Sequence, residues 1–167
     1  NDLWFVLTNK IDGSLDYLVL NTNATKTDYD SGALTSSTFT NPYAASSNVI
    51  AYCFHSVEGY SKFGIYTGNG STDGPFVYTG FRPAFVMYKR TDVAGSWILL
   101  DTQRNPINVS GNQLFPDLTN AEFAGSVMDI LSNGFKFRDG SSNNNASGGT
   151  YIYMAFAEMP FRYSNAR

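Results

Sequence analysis

Apolar and aromatic runs of about four to eight residues, each stopped by a cluster of Gly, Asn, Ser, Thr or Asp, recur along the whole chain. Segments this short cannot bury a helical stripe, but they match half-buried strands closed by tight turns. The spacing predicts strands at Leu3–Thr8, Asp16–Leu20, Val49–His55, Tyr60–Thr67, Pro75–Thr79, Ala84–Arg90, Trp97–Asp101, Asn112–Phe115, Gly134–Arg138 and Thr150–Ala157. Helix signals are poor. The best, "NAEFAGSVMDI" at Asn120–Ile130, has a capping Asn but is weakened by Gly125 and Val127, so a single turn is expected there. Thirteen Phe and eleven Tyr against only 15% charged residues suit sheets whose rings fill one face.

One strand is written twice. "VIAYCFHSVEGYSKF", beginning at Val49, and "TYIYMAFAEMPFRYS", beginning at Thr150, align Phe54 with Phe156 at an offset of 102 residues. Trp4 aligns with Trp97 at an offset of 93, and Ala24 with Ala121 at 97. An offset that grows along the chain is what two copies in the same strand order, separated by small loop insertions, would produce. The reading is therefore a duplicated β-unit, the size of a small sandwich, within an all-β antiparallel β-sandwich. Residues 1–63 form the C-terminal part of a first repeat, and 64–167 a complete second one packed with it as one compact unit. Nothing comparable to Gly64–Trp97 precedes Trp4, so a chain cut from a longer protein is expected, leaving edges for neighbours to cover.

Several function classes lack footing. A net charge of −3 with eleven scattered Lys and Arg makes no basic stripe for nucleic acid. No run approaches the roughly 18 apolar residues of a membrane span. Cys53 is the single cysteine, which rules out an intrachain disulfide and any zinc site built on paired cysteines. Set between Tyr52 and Phe54, it is expected to be a buried small hydrophobe. His55, the single histidine, aligns with Ala157, so a Cys53–His55 nucleophile is weaker than a plain packing role. No G-x-S-x-G elbow is present. "GNGSTDG" at 68–74 is followed by a strand, so it reads as a turn and not as a phosphate loop. Four N-x-S/T triplets, beginning at Asn23, Asn69, Asn108 and Asn145, arise easily in so Asn-rich a chain.

Among the acids, Asp101 and Glu158 stand apart because each ends an apolar strand, and they are the carboxylates to inspect for a glycosidase pair. No catalytic residue is expected. No cofactor is required, although calcium is possible at the oxygen-rich stretches "DYDSG" (28–32) and "RDGSSNNN" (138–145). Tyr17, Tyr29, Tyr43, Tyr60, Tyr66, Tyr78 and Tyr163 exceed what one core needs. Tyrosine stacking on sugar rings beside Asn hydrogen bonds is a physical route to glycan binding. The candidate ligand residues are therefore Tyr29, Tyr43, Tyr60, Tyr66, Asn143, Asn144 and Asn145, with ordinary cross-strand packing as the competing role.

At Gly59 to Asp92, "GYSKFGIYTGNGSTDGPFVYTGFRPAFVMYKRTD", and at Leu131 to Phe161, "LSNGFKFRDGSSNNNASGGTYIYMAFAEMPF", the chain resembles uncharacterised repeat domains of tail-fibre and other virion proteins of marine tailed phages. The similarity runs from about Trp4 to Arg167. His55 stands in "CFHS" where "CFAE" is usual, and Ile65 replaces a Ser. The resemblance implies a concanavalin-like or jelly-roll sandwich in a non-enzymatic virion structural protein. Its expected place is virion or extracellular, and its expected partners are other copies of itself as a homo-oligomer (trimers are usual for fibres), other virion proteins and a host-surface glycan. A tailspike-type carbohydrate-active enzyme and a ligand-free self-assembling or capsid-decorating protein are the alternatives.

Overall fold

The structure, a computed structural model, describes residues 2–43 and 48–160. Its strands are β1 (Phe5–Thr8), β2 (Asp16–Val19), β3 (Thr27–Asp28), β4 (Ser61–Thr67), β5 (Phe76–Tyr78), β6 (Pro83–Arg90), β7 (Ile98–Asp101), β8 (Met128–Leu131), β9 (Gly134–Phe137) and β10 (Thr150–Ala157), with a single-turn helix α1 (Ser142–Asn145). All pairings are antiparallel, in a four-stranded sheet β4-β10-β6-β7 and two three-stranded sheets, β5-β9-β8 and β1-β2-β3. The all-β antiparallel sandwich expected from the sequence is thus the fold.

Alternation builds the core. Along β10, Tyr151, Tyr153 and Ala155 point to one face, where they join Tyr66, Val86, Tyr88, Ile98 and Leu100 of the same sheet. Val77, Met128, Ile130, Phe135 and Phe137 of the β5-β9-β8 sheet close over them to form one buried cluster. Ring geometry orders this cluster: Tyr66 stacks on Tyr151 with centroids 4.6 Å apart and on Phe137 at 4.7 Å. The opposite face of β10 carries Ile152, which meets Leu18 and Trp97 beneath the β1–β2 hairpin. That hairpin covers only part of the outer face, since Ile65 is 41% exposed.

Four expectations are corrected. Val49–His55 is not a strand: it has no ladder partner and is exposed throughout, Cys53 included, so Cys53 is not a buried hydrophobe. Asn112–Phe115 is reduced to isolated bridges, Gln113 to Phe123 and Leu114 to Leu99. The Asn120–Ile130 segment makes no turn of helix but runs extended into β8. Its apolar residues Met128 and Ile130 are two apart, so a strand, not a helix, buries both. The one helical turn among the described residues lies instead in "SNNN", read from the sequence as oxygen-rich loop.

A pairing pattern does repeat. In β1-β2-β3, Val6 faces Leu18 and Tyr17 faces Thr27. About a hundred residues on, Leu99 faces Leu114 and Gln113 faces Phe123 in the same order.

Candidate functional site

The candidate site is a cleft of roughly 430 Å³ lined by Gln113, Phe115, Phe123, Asp139, Ser141, Asn143 and Asn144. Two elements build it. One wall is the Gln113–Phe123 bridge, whose reciprocal backbone hydrogen bonds of 2.9 and 3.0 Å hold Phe123 at the rim, 58% exposed. The other is the loop from β9 into α1, where Asp139 accepts from the Ser141 amide at 2.9 Å and the Ser141 hydroxyl at 2.6 Å. Asn144 also donates to Asp139, while its own carbonyl side-chain oxygen accepts from the Tyr88 hydroxyl at 2.8 Å. Burial pushes the Asp139 carboxyl up, but the Ser141 and Asn144 hydrogen bonds outweigh it and hold the group below its usual range. The cleft therefore presents an ionised acceptor, the exposed Asn143 amide and an aromatic face, over a buried Gln113. That set is suited to hydroxyl-rich ligands.

The residues singled out from the sequence divide sharply. Asn143 and Asn144 come together in the cleft, Asn143 exposed and Asn144 buried as its anchor. Asn145 is fully buried and unavailable to a ligand: its amide donates to Asn69 Oδ1 and Ser71 O, and its oxygen accepts from the Asn69 amide at 2.8 Å. It works as a clamp between loops, helped by Gly68, where a Cβ would lie 2.2 Å from the Ala146 carbonyl oxygen. Tyr66 is likewise buried in the core, its hydroxyl donating to the Asn144 carbonyl at 2.7 Å, so the ligand role expected for it is withdrawn. Tyr29 and Tyr43 are half-buried in edge-on contacts with Tyr17 and Phe5, away from the cleft lining. Tyr60 packs edge-on against Phe156. Tyr163 lies outside the described residues. Sequence reasoning missed Phe123 and Gln113 because their approach to α1 depends on a bridge, not on local pattern.

The two strand-ending acids are each held by an arginine of their own. Asp101 accepts from Arg104 Nε at 2.6 Å, and Glu158 pairs with Arg82 Nε at 2.8 Å. Neither lines the cleft.

Of the calcium candidates, Asp28 gathers with Asp12 and Asp16, ligand oxygens within 4.8 Å of one another. Lys26 occupies the middle: its Nζ lies 2.6 Å from Asp12, 2.8 Å from Asp16 and 2.6 Å from Asp28. Hydrogen bonds from Lys26, then Ser14, pull Asp12 down to about 2, whereas burial pushes the enclosed Asp16 up. The ammonium stands where a divalent cation would have to sit, so these carboxylates do not fit calcium while Lys26 is in place.

A family model described as "Domain of unknown function (DUF7483)" matches residues 1–160. The chain belongs to that family. Neither curated proteins nor solved structures give a match. The DUF7483 match takes in β1 to β10 without interruption, so both the clamp at Asn145 and the cleft walls lie within it.

Proposed function

We propose that this DUF7483 domain is a non-enzymatic virion structural domain of phage tail-fibre type, placed on the virion or outside the cell, which attaches to a host-surface glycan. The observation that carries the attachment reading is the cleft. An exposed Phe123 ring beside the Asp139 carboxylate and the Asn143 amide supplies a stacking surface and hydroxyl partners together. The phage setting rests on the motif resemblance of "GYSKFGIYTGNG" and "NASGGTYIYMAFAE". Association with further copies and with other virion proteins belongs to the same reading. None of the described helices is long and apolar enough to cross a membrane.

The test is binding of the full chain to a glycan array and to host cells, repeated with Phe123→Ala and Asn143→Ala. Each substitution is expected to weaken binding about tenfold while leaving thermal unfolding unchanged, because both side chains are exposed. Absence of binding to any glycan or cell would sink the attachment reading.

A further inference from the structure

Residues Val49–His55 have the alternation of a strand and align with β10 through Ile50 with Ile152 and Phe54 with Phe156, but have none of its ladder partners. Ile50 is 84% exposed, Tyr52 74% and Phe54 59%. Among the described residues, no backbone-to-backbone hydrogen bond joins 48–55 to the rest of the chain. Leaving large side chains and unpaired amides in water is a poor use of a β-forming sequence and marks an interaction surface.

The matching surface lies on the same chain. The Tyr60 carbonyl accepts from Ala157 N and the Gly68 amide donates to Gly149 O, so the backbone groups of even-numbered β4 residues face β10. Odd-numbered residues then face outward. Ser61 is taken by a reciprocal bridge with Val57, and the Phe63 amide by the Ser56 hydroxyl at 3.0 Å. Beyond them, the backbone groups of Ile65 and Thr67 line an edge with no strand beside it among the described residues. The bridge starts an antiparallel register at the turn where Gly59 has φ 71°. Continued, that register sets His55 opposite Phe63, Cys53 opposite Ile65 and Ala51 opposite Thr67. The segment does not follow it within its own chain. Ser56 caps Phe63 by its side chain, and Phe54 leaves the edge to pack on the outer face against Phe63 and Phe156.

We infer that Val49–His55 adds as a strand to the open β4 edge of a second copy of this chain, Cys53 facing Ile65 across the junction. A free strand and a free edge of fitting register on one molecule are the ingredients of strand exchange between identical subunits. The exchange deepens the self-association part of the proposed function and rests on that part alone.

The full chain is examined by sedimentation velocity over a wide concentration range under reducing conditions. It is expected to associate reversibly. Ile65→Pro removes an outward-facing N–H from an edge strand, where proline is tolerated, and Ala51→Pro removes one that the same register aims at Thr67 across the junction. Each should weaken association about tenfold or more, with far-UV circular dichroism and thermal midpoint retained. In Ile65→Cys, mild oxidation should join the introduced thiol to Cys53 of a second copy, giving a doubled mass beyond any formed by the unsubstituted chain. A monomer at every concentration, association indifferent to both prolines, or a link confined within one chain would each overturn the inference. Glycan binding measured on the same variants separates the two readings: association lost with glycan binding intact supports strand exchange and leaves the attachment reading standing, whereas association without any glycan binding fails the attachment reading alone.

Discussion

β10 and the segment Val49–His55 align in sequence and are opposites in environment. Ile50 aligns with Ile152, Cys53 with Ala155 and Phe54 with Phe156. Ala155 is fully buried between β4 and β6, with Tyr151 and Tyr153 beside it, while Cys53 and its neighbours lie in solvent. The difference is one of company. β10 has a strand on each side and a second sheet over its inner face, whereas the earlier segment has neither. β-propensity describes fit to a half-buried surface, so one alternating segment can be a central strand while another, aligned with it, is an unpaired arm.

Matched substitutions give the strongest test of that contrast. Ala155→Asp would bury a charge with no partner and should cost more than about 4 kcal/mol, removing the cooperative unfolding transition. Its counterpart Cys53→Asp should stay within about 0.5 kcal/mol in dilute, monomeric protein. Urea unfolding followed by circular dichroism reads both, and equal losses at the two positions would abolish the distinction.

In the β1-β2-β3 sheet the carboxylates of Asp12, Asp16 and Asp28 converge on Lys26. Lys26→Met would leave Asp12, Asp16 and Asp28 facing one another, with Asp16 fully enclosed. The expected loss is about 3 kcal/mol by urea unfolding. Recovery on adding calcium would indicate that the three carboxylates can hold a cation once the ammonium is gone.

A smaller effect comes from Lys89, on β6 opposite Ile152 of β10. Its ammonium is enclosed, donating to the Asn23 and Gly95 carbonyls with the Trp97 ring 6.0 Å away. Burial lowers its pKa from 10.5 to about 8. Between those values the unfolded chain holds the proton that the folded chain has released, so stability should rise with pH across 8 to 10, by about 2 kcal/mol. Above that, Tyr66 and Tyr88, whose hydroxyls burial pushes well up, act the other way: the unfolded chain ionises first and stability falls. Thermal midpoints at several pH values would trace the rise and fall, and Lys89→Met should flatten the rise.

Most of the sheet was legible because each strand carries its own alternation and its own turn residues. β4, β6, β7, β9 and β10 lie within a residue or two of their expected bounds. The errors have two causes. Val49–His55 has the pattern without the partners, and Met128–Leu131 was masked by neighbouring residues that resembled a helix start. The cleft was half legible: "SNNN" drew attention to Asn143 and Asn144, but the burial of Asn145 and Tyr66 depends on loops that meet across about 75 residues. Phe123 carried no local signal at all.

The sequence by itself determined that this chain folds as antiparallel β-structure with an aromatic core, because alternation and turn chemistry are local properties. Only the tertiary structure decided which of two like strands is central, which tyrosines are core, and which polar loop residues face water. Those outcomes depend on what stands opposite each residue, and in a sheet the opposite residue comes from elsewhere in the chain.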